Sequence, residues 1–302
     1  MRPARTRASC GLRFATAHQN ADFKRAIMSD VDLSRSTPSS RLSLLAICLI
    51  LTSALATPAS AESLKAHYAL SLMGLSLGSA FASAVIDPQN YRLDISMKTS
   101  GLANLVNNTK AAASASGKLV PGGPAPVSFA NTFSNSYETR TTRMSLSNNS
   151  VRSLEVKPPP WDAAIRLPVS EEQKKHIVDP VSALIMSVPA DQPLVGPSAC
   201  NRIIPVFDGV TRFNVQLSYV DTRTAKTKGY AGPVSICSAR YMPISGHSPA
   251  STSTKFMAEN QDMSVWLAPL STAHVVAPLR IDVKTTAGML SIDAVEFQIG
   301  QQ

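Results

Sequence analysis

The chain has 302 residues, of which 44% are hydrophobic and only 16% charged. That composition excludes wholesale disorder, and 14 Gly against 21 Pro excludes a collagen-like repeat. The formal charge of +9 is unevenly placed: the first 61 residues hold eight of the 29 Lys/Arg and three of the 20 Asp/Glu, which leaves 21 against 17, a net +4. The remainder carries no Lys/Arg cluster with interleaved aromatics, so no nucleic-acid partner is expected.

The N-terminal segment reads as an export leader. Leu42 to Leu55 is an apolar run of 14 residues behind Arg35 and Arg41. It is followed by Thr57-Pro58-Ala59-Ser60-Ala61, a small-x-small cleavage pattern, which places cleavage after Ala61. The run falls short of the ~20 residues of a bilayer span. Cys48, between Ile47 and Leu49, lacks the small preceding residue that lipidation needs. Residues 1–27 precede a more ordinary leader starting at Met28, so the start is Met1 or Met28. The expected organisation is a leader over 1–61 and one β-rich domain over 62–302, located in the periplasm.

Period-2 alternation dominates the rest. His67–Met73 and Gly74–Ile86 read as two strands meeting near Gly74–Gly78, with Asp87-Pro88 as the next turn. Tyr91, Leu93, Ile95 and Met97 alternate with Arg92, Asp94, Ser96 and Lys98, a half-buried strand. Ser100–Asn107 reads as a helical turn or loop, Lys110–Val120 as a weak strand, and Pro121–Pro126 as a break. Val127–Tyr137 and Arg140–Leu146 resume strand character, and Asn148-Asn149 turns into Val151–Val156. Pro158-Pro159-Pro160 then ends the ladder, because proline brings no N–H donor.

The middle is the one helical region. Ser170-Glu171-Glu172-Gln173 matches a capping box, and Asp179-Pro180 supplies an N-cap acceptor with proline at the first helical position. A short buried helix is expected over Asp179–Ser187. Strands return at Cys200–Phe207 and Thr211–Val220, flanking the hairpin signal Asp208-Gly209. Lys226–Tyr230, Val234–Tyr241, Met263–Leu267, Leu279–Thr285 and Met289–Ile299 complete the set, with a Ser/Thr/Pro-rich loop at Ser245–Thr254. The predicted class is mainly β: a curved antiparallel sheet or open barrel with one short helix region packed on it.

Only Cys200 and Cys237 lie beyond the leader, and an exported chain with two cysteines pairs them. The loop closed is about 38 residues, worth roughly 3–4 kcal/mol. The C-x-x-C spacing of a redox pair and the Cys/His spacing of a zinc site are both missing from the sequence.

Several pieces recur together in a known family: Tyr68 with Gly74-Leu75-Ser76-Leu77-Gly78, the Tyr91 strand, Asp179-Pro180-Val181-Ser182-Ala183, Cys200-Asn201-Arg202, Phe207-Asp208-Gly209 with Arg212, Gly229-Tyr230-Ala231-Gly232-Pro233 before Cys237, Tyr241-Met242-Pro243-Ile244-Ser245-Gly246, and Trp266-Leu267-Ala268-Pro269. In that order they resemble the exported bacterial proteins of domain of unknown function 3108, especially the alphaproteobacterial branch. The resemblance implies a β-rich periplasmic or envelope protein, similar in architecture to curved-sheet lipoprotein carriers, and supplies no catalytic residues. The plain reading of these motifs is structural: Asp179 caps a helix, Asp208-Gly209 turns, Trp266 fills core.

Gly74-Leu75-Ser76-Leu77-Gly78 also matches the nucleophile elbow G-x-S-x-G. An elbow needs strands before it and a helix after it; Ser76 is only 15 residues beyond Ala61 and strand follows. His67, His176, His247 and His274 show no metal-ligand spacing, and Asp162, Asp179, Asp208, Asp221, Asp262, Asp282 and Asp293 are scattered. No catalytic, metal or cofactor-binding residue and no cofactor is expected. The leading functional expectation is non-enzymatic binding of an apolar or lipid-like ligand. The alternative is a scaffold contacting an envelope protein or polysaccharide through the loops Pro121–Pro126, Pro158–Trp161 and Ser245–Thr254. Enzymatic activity and oligomeric state stay open.

Overall fold

The computed structural model describes residues 61–101 and 108–301. Residues 1–60, where the leader is expected, and most of the Ser100–Asn107 segment lie outside them. Strands β1 (Glu62–Leu72), β2 (Leu75–Ile86), β3 (Asn90–Thr99), β4 (Lys110–Val120), β5 (Gly123–Ser134), β6 (Thr139–Ser147) and β7 (Ser150–Lys157) run as an antiparallel meander. After a long connection come β8 (Met186–Ser187), helix α1 (Pro197–Cys200), β9 (Arg202–Phe207), β10 (Arg212–Thr227), β11 (Tyr230–Ser245), helix α2 (Thr252–Glu259), β12 (Met263–Leu270), β13 (Val275–Thr285) and β14 (Gly288–Gln301). The two runs join through β1 and β14, giving the order β7-β6-β5-β4-β3-β2-β1-β14-β13-β12-β11-β10-β9, with β8 on β13. The mainly β, curved antiparallel architecture expected from the alternation is therefore present.

Alternation decides which face is inside. On β3, Tyr91 and Leu93 are buried and Arg92 is exposed; on β6, Thr142, Met144 and Leu146 point in while Arg143, Ser145 and Ser147 point out. Asn148 and Asn149 both take positive φ, as a two-residue primed hairpin turn requires. The sheet bends over on itself, since Phe129 and Met144 share one core with Leu270, Val275 and Phe297 from the other run.

The end strands β7 and β9 do not pair, so the barrel is open along that seam. The β7–β9 connection crosses the seam as a strap. Ile177 N–H donates to Asn149 O (2.9 Å), Val178 N–H to Pro205 O (2.8 Å), and Phe207 N–H to Val178 O (3.0 Å). The Asp208-Gly209 turn seats on β6 and β7 close enough that a Cβ on Gly209 would fall 2.5 Å from Thr142 Cγ2.

Several local expectations are corrected. The Asp179–Ser187 helix is only a single 3₁₀ turn over Ser182–Leu184, followed by extended Ile185 and β8. Pro180 and Pro189 confine any helix here to about two turns, which is marginal without tertiary support, and β13 offers an edge that pairs Met186 and Ser187 instead. The Ser170–Gln173 capping box forms reciprocally, Gln173 N–H to Ser170 Oγ (3.3 Å) and Ser170 N–H to Gln173 Oε1 (3.1 Å), but caps one 3₁₀ turn. Cys200 ends α1 rather than starting a strand, and the Ser245–Thr254 loop runs into α2, whose Ser251 Oγ accepts from Thr254 N–H (3.1 Å). Thr211–Val220 and Lys226–Thr227 belong to one long strand, β10, which tolerates a bulge near Val220; Lys228-Gly229 turn the chain and Tyr230 already opens β11, so Lys226–Tyr230 is not a separate strand. The Pro121–Pro126 break is shorter than expected, because β5 begins at Gly123; β6 pairs only from Ser128 onward, so Pro124 and Pro126 lose no ladder bond on that side.

Candidate functional site

The strap runs from Ile177 to Val188 through the barrel interior, with Ile177, Val181 and Ile185 in the main core and Met186 and Val188 in a second core beneath α1. A buried polar lock holds it. Asp179 Oδ1 accepts from Val181 N–H and Ser182 N–H (2.9 Å each), and Ser182 Oγ donates to Asp179 Oδ2 (2.5 Å). Tyr91 OH, 2.7 Å from Ser182 Oγ, completes the chain from β3. Because the Ser182 proton is committed to the carboxylate, the Tyr91 hydroxyl is the donor in that last bond. Burial pushes the Asp179 carboxyl above its ordinary value against these hydrogen bonds, and burial likewise raises Tyr91.

Two apolar cavities lie on either side of the strap. One, of 270 Å³, is walled by β9–β13 through Val206, Val215, Leu217, Met263 and Val265. The other, of 220 Å³, is walled by β1–β3 and β14 through Leu70, Ala82, Leu93, Met97 and Ile292. Leu184, Pro278 and Ile281 line both, so the strap residue Leu184 is part of the partition. The phenol of Tyr68, on the wall of the second cavity, donates to Pro278 O (2.7 Å), which removes its polarity from the apolar space.

A third concavity, a groove of 540 Å³, opens between the β4–β5 turn, the β6–β7 turn, the strap and β9. Ala183, Met186 and Ile204 line both this groove and the 270 Å³ cavity, and Ile185 touches the 220 Å³ one. A shallow depression of 740 Å³ on the outer sheet face carries His67 stacked on Phe81 (4.3 Å between centroids) amid small residues.

The residues singled out from sequence are dispersed. Cys200 and Cys237 are disulfide-bonded, with Cα atoms 5.5 Å apart, tying α1 to β11 within the second core. Ser76 is exposed on β2 opposite Ser71, in a hairpin with no helix behind it, so the G-x-S-x-G match is no elbow. His67 faces outward, His176 lies on the groove rim, Leu167 N–H donates to His247 O (3.0 Å), and His274 Nδ1 is 2.9 Å from Val188 O. Among the described residues no group of three or more His, Cys, Asp or Glu gathers to hold a metal. Asp208 Oδ1 accepts from Val210 and Thr211 N–H (2.8 and 2.6 Å), Asp162 pairs with Arg166 (2.7 Å), Asp221 with Arg223 (2.9 Å) and Asp262 with Lys284 (2.7 Å). Asp282 and Asp293 meet over the shared guanidinium of Arg280 at 2.7 and 3.3 Å. Burial pushes Asp282 up, but the Arg280 and Ser291 hydrogen bonds outweigh it and hold the carboxyl low, as suits a charge pair rather than an acid catalyst.

Nothing in the sequence marked Leu184 as a partition or Arg202 as a groove residue; the local signals were the Asp179-Pro180 cap that fixes the strap and the Cys200-Asn201-Arg202 motif, which marks Arg202 without a role.

A family described as Protein of unknown function (DUF3108) matches residues 65–295. No curated protein matches the chain. Among solved structures, a beta-barrel-like protein of domain of unknown function DUF1849 from Brucella abortus aligns at 9% identity over 79% of this chain and 98% of that one, with a TM-score of 0.42.

Proposed function

Starting from a chain that belongs to the DUF3108 family, whose name assigns no activity, we propose that this protein is exported to the cell envelope and binds an apolar, lipid-like ligand without chemistry. The observation that carries the reading is the pair of apolar cavities divided by Leu184. Covering apolar wall removes it from water at roughly 25 cal/mol per Å², and an apolar cavity of ~150 Å³ is already large enough to take up benzene. Cavities of 220 and 270 Å³ therefore gain free energy from an apolar occupant. The two share Leu184, Pro278 and Ile281 as walls, and together they fall in the size range of ligand pockets, ~300–1,000 Å³.

Export is supported by the leader pattern, by β1 starting at Glu62 directly after the expected cleavage point, and by a disulfide, which persists in oxidising compartments. Native mass spectrometry on protein released gently from the periplasm tests both parts. The expected result is a mature mass beginning at Glu62 with an adduct of lipid mass. A clean mass, together with delipidated protein that takes up no fatty acid in titration, counts against ligand binding.

One observation favours a scaffold as the second reading. Trp161, in the Pro158–Trp161 loop, is 88% exposed, and large exposed aromatics anchor protein interfaces. An envelope pulldown unchanged by Trp161→Ala would remove that support.

A further inference from the structure

The groove beside the strap holds one cation and no counter-charge. Arg202 opens β9 and lines the groove with His176, and no Asp or Glu is among the lining residues. Its guanidinium donates to two carbonyls, Nη1 to Ser187 O (2.8 Å) and Nη2 to Ser198 O (2.7 Å). Its Nε is buried with no hydrogen-bond partner among the described residues, and no carboxylate there pairs with it. Two carbonyl dipoles orient a guanidinium but do not neutralise it, and arginine does not escape by losing its proton. Burial accordingly depresses its pKa from the ordinary value, the mark of a charge lacking a partner. The same groove shares Ala183, Met186 and Ile204 with the 270 Å³ apolar cavity, so charge and apolar volume are contiguous.

We propose that this groove receives the anionic head group of an amphipathic ligand at Arg202, with the alkyl chain running past Met186 and Ile204 into the β9–β13 cavity. The inference rests on the apolar-ligand reading above and deepens it by naming the ligand class: one alkyl chain ending in a carboxylate or phosphate. Arginine suits that role, because its fork matches both groups in geometry. His176 stands on the same rim as a secondary donor. The β8 and α1 carbonyls that hold Arg202 are themselves fixed, the first by pairing to β13 and the second by the Cys200–Cys237 bond.

The test is head-group selectivity on the delipidated full protein, read by displacement of a fluorescent fatty acid. The probes are dodecanoate, dodecyl phosphate, dodecanol and inorganic phosphate. The expected result is that at least one anionic amphiphile binds about tenfold or more tighter than dodecanol, the scale of a charge-assisted hydrogen bond. The carboxylate and phosphate arms tell a fatty acid from a phospholipid-type head. Arg202→Gln should bring the anionic probes to the dodecanol level and leave dodecanol unchanged. Because Arg202 also ties β8 to α1, that variant is judged only if its circular dichroism matches the parent; the parent's selectivity decides in any case. Equal binding of dodecanol overturns the head-group site and leaves the apolar reading standing. Inorganic phosphate binding as tightly as dodecyl phosphate removes the tail from the proposal. Selectivity surviving in folded Arg202→Gln moves the charge elsewhere, and no binding by any probe overturns both readings.

Discussion

The buried lock at Asp179 yields the sharpest test of how the strap is held. Asp179→Ala deletes the acceptor for Val181 N–H, Ser182 N–H and Ser182 Oγ–H, all within 2.5–2.9 Å. Each orphaned buried donor costs about 1–3 kcal/mol, and relief of a buried charge offsets part of that, so the expected loss is about 3–5 kcal/mol. At about 2–4 °C per kcal/mol for a domain of this size, calorimetry should show a Tm drop of roughly 10 °C. Asp179→Asn keeps an oxygen for the two backbone donors and strands only the Ser182 proton, so it should cost about 1–2 kcal/mol. The pH dependence carries a definite sign. Burial raises the Asp179 pKa above its ordinary value near 3.8, so the folded state holds the proton more tightly than the unfolded chain. That contribution is complete below the unfolded value and is lost as pH rises through the folded one. The stability advantage of the parent over Asp179→Asn should therefore shrink from acid toward neutral pH. An alanine variant melting within about 2 °C of the parent would refute the lock, as would an asparagine variant as damaged as the alanine one.

Reducing the Cys200–Cys237 bond, which closes a loop of 37 residues in sequence separation, should lower stability by about 3–4 kcal/mol in a urea melt with and without dithiothreitol. Gly246→Ala places a Cβ 2.0 Å from Val210 O on a backbone at φ +82°, so it should cost more than about 2 kcal/mol. An unchanged urea midpoint would show that the 245–247 segment moves freely away from the Asp208 turn. Leu184→Ala removes side chain from the wall shared by the two cavities, costing about 2–3 kcal/mol in stability while tightening binding of longer alkyl chains in the displacement assay.

The sequence alone was enough for the features that depend on near neighbours. Side-chain alternation on β3 and β6 declared which face is buried, because a strand's two faces differ by one residue. Asn148-Asn149 and Asp208-Gly209 declared their turns through backbone conformations and side-chain acceptors that few residue types supply. The cysteine pair followed from Cys200 and Cys237 being the two cysteines after residue 61. Even the Asp179 cap was legible, although the helix expected after it was not formed: a distant edge of β13, at Val275–Val276, captured Met186 and Ser187 instead. Tertiary structure alone decided the rest. Pairing β1 with β14 joins residues more than two hundred apart and links the two runs into one sheet that curves over a shared core, open between β7 and β9. That arrangement brings Tyr91 to Ser182, places Leu184 between two cavities, and sets Arg202 in a groove without a carboxylate. A cavity is volume left between elements that meet from distant parts of the chain, and no local pattern encodes the space they fail to fill.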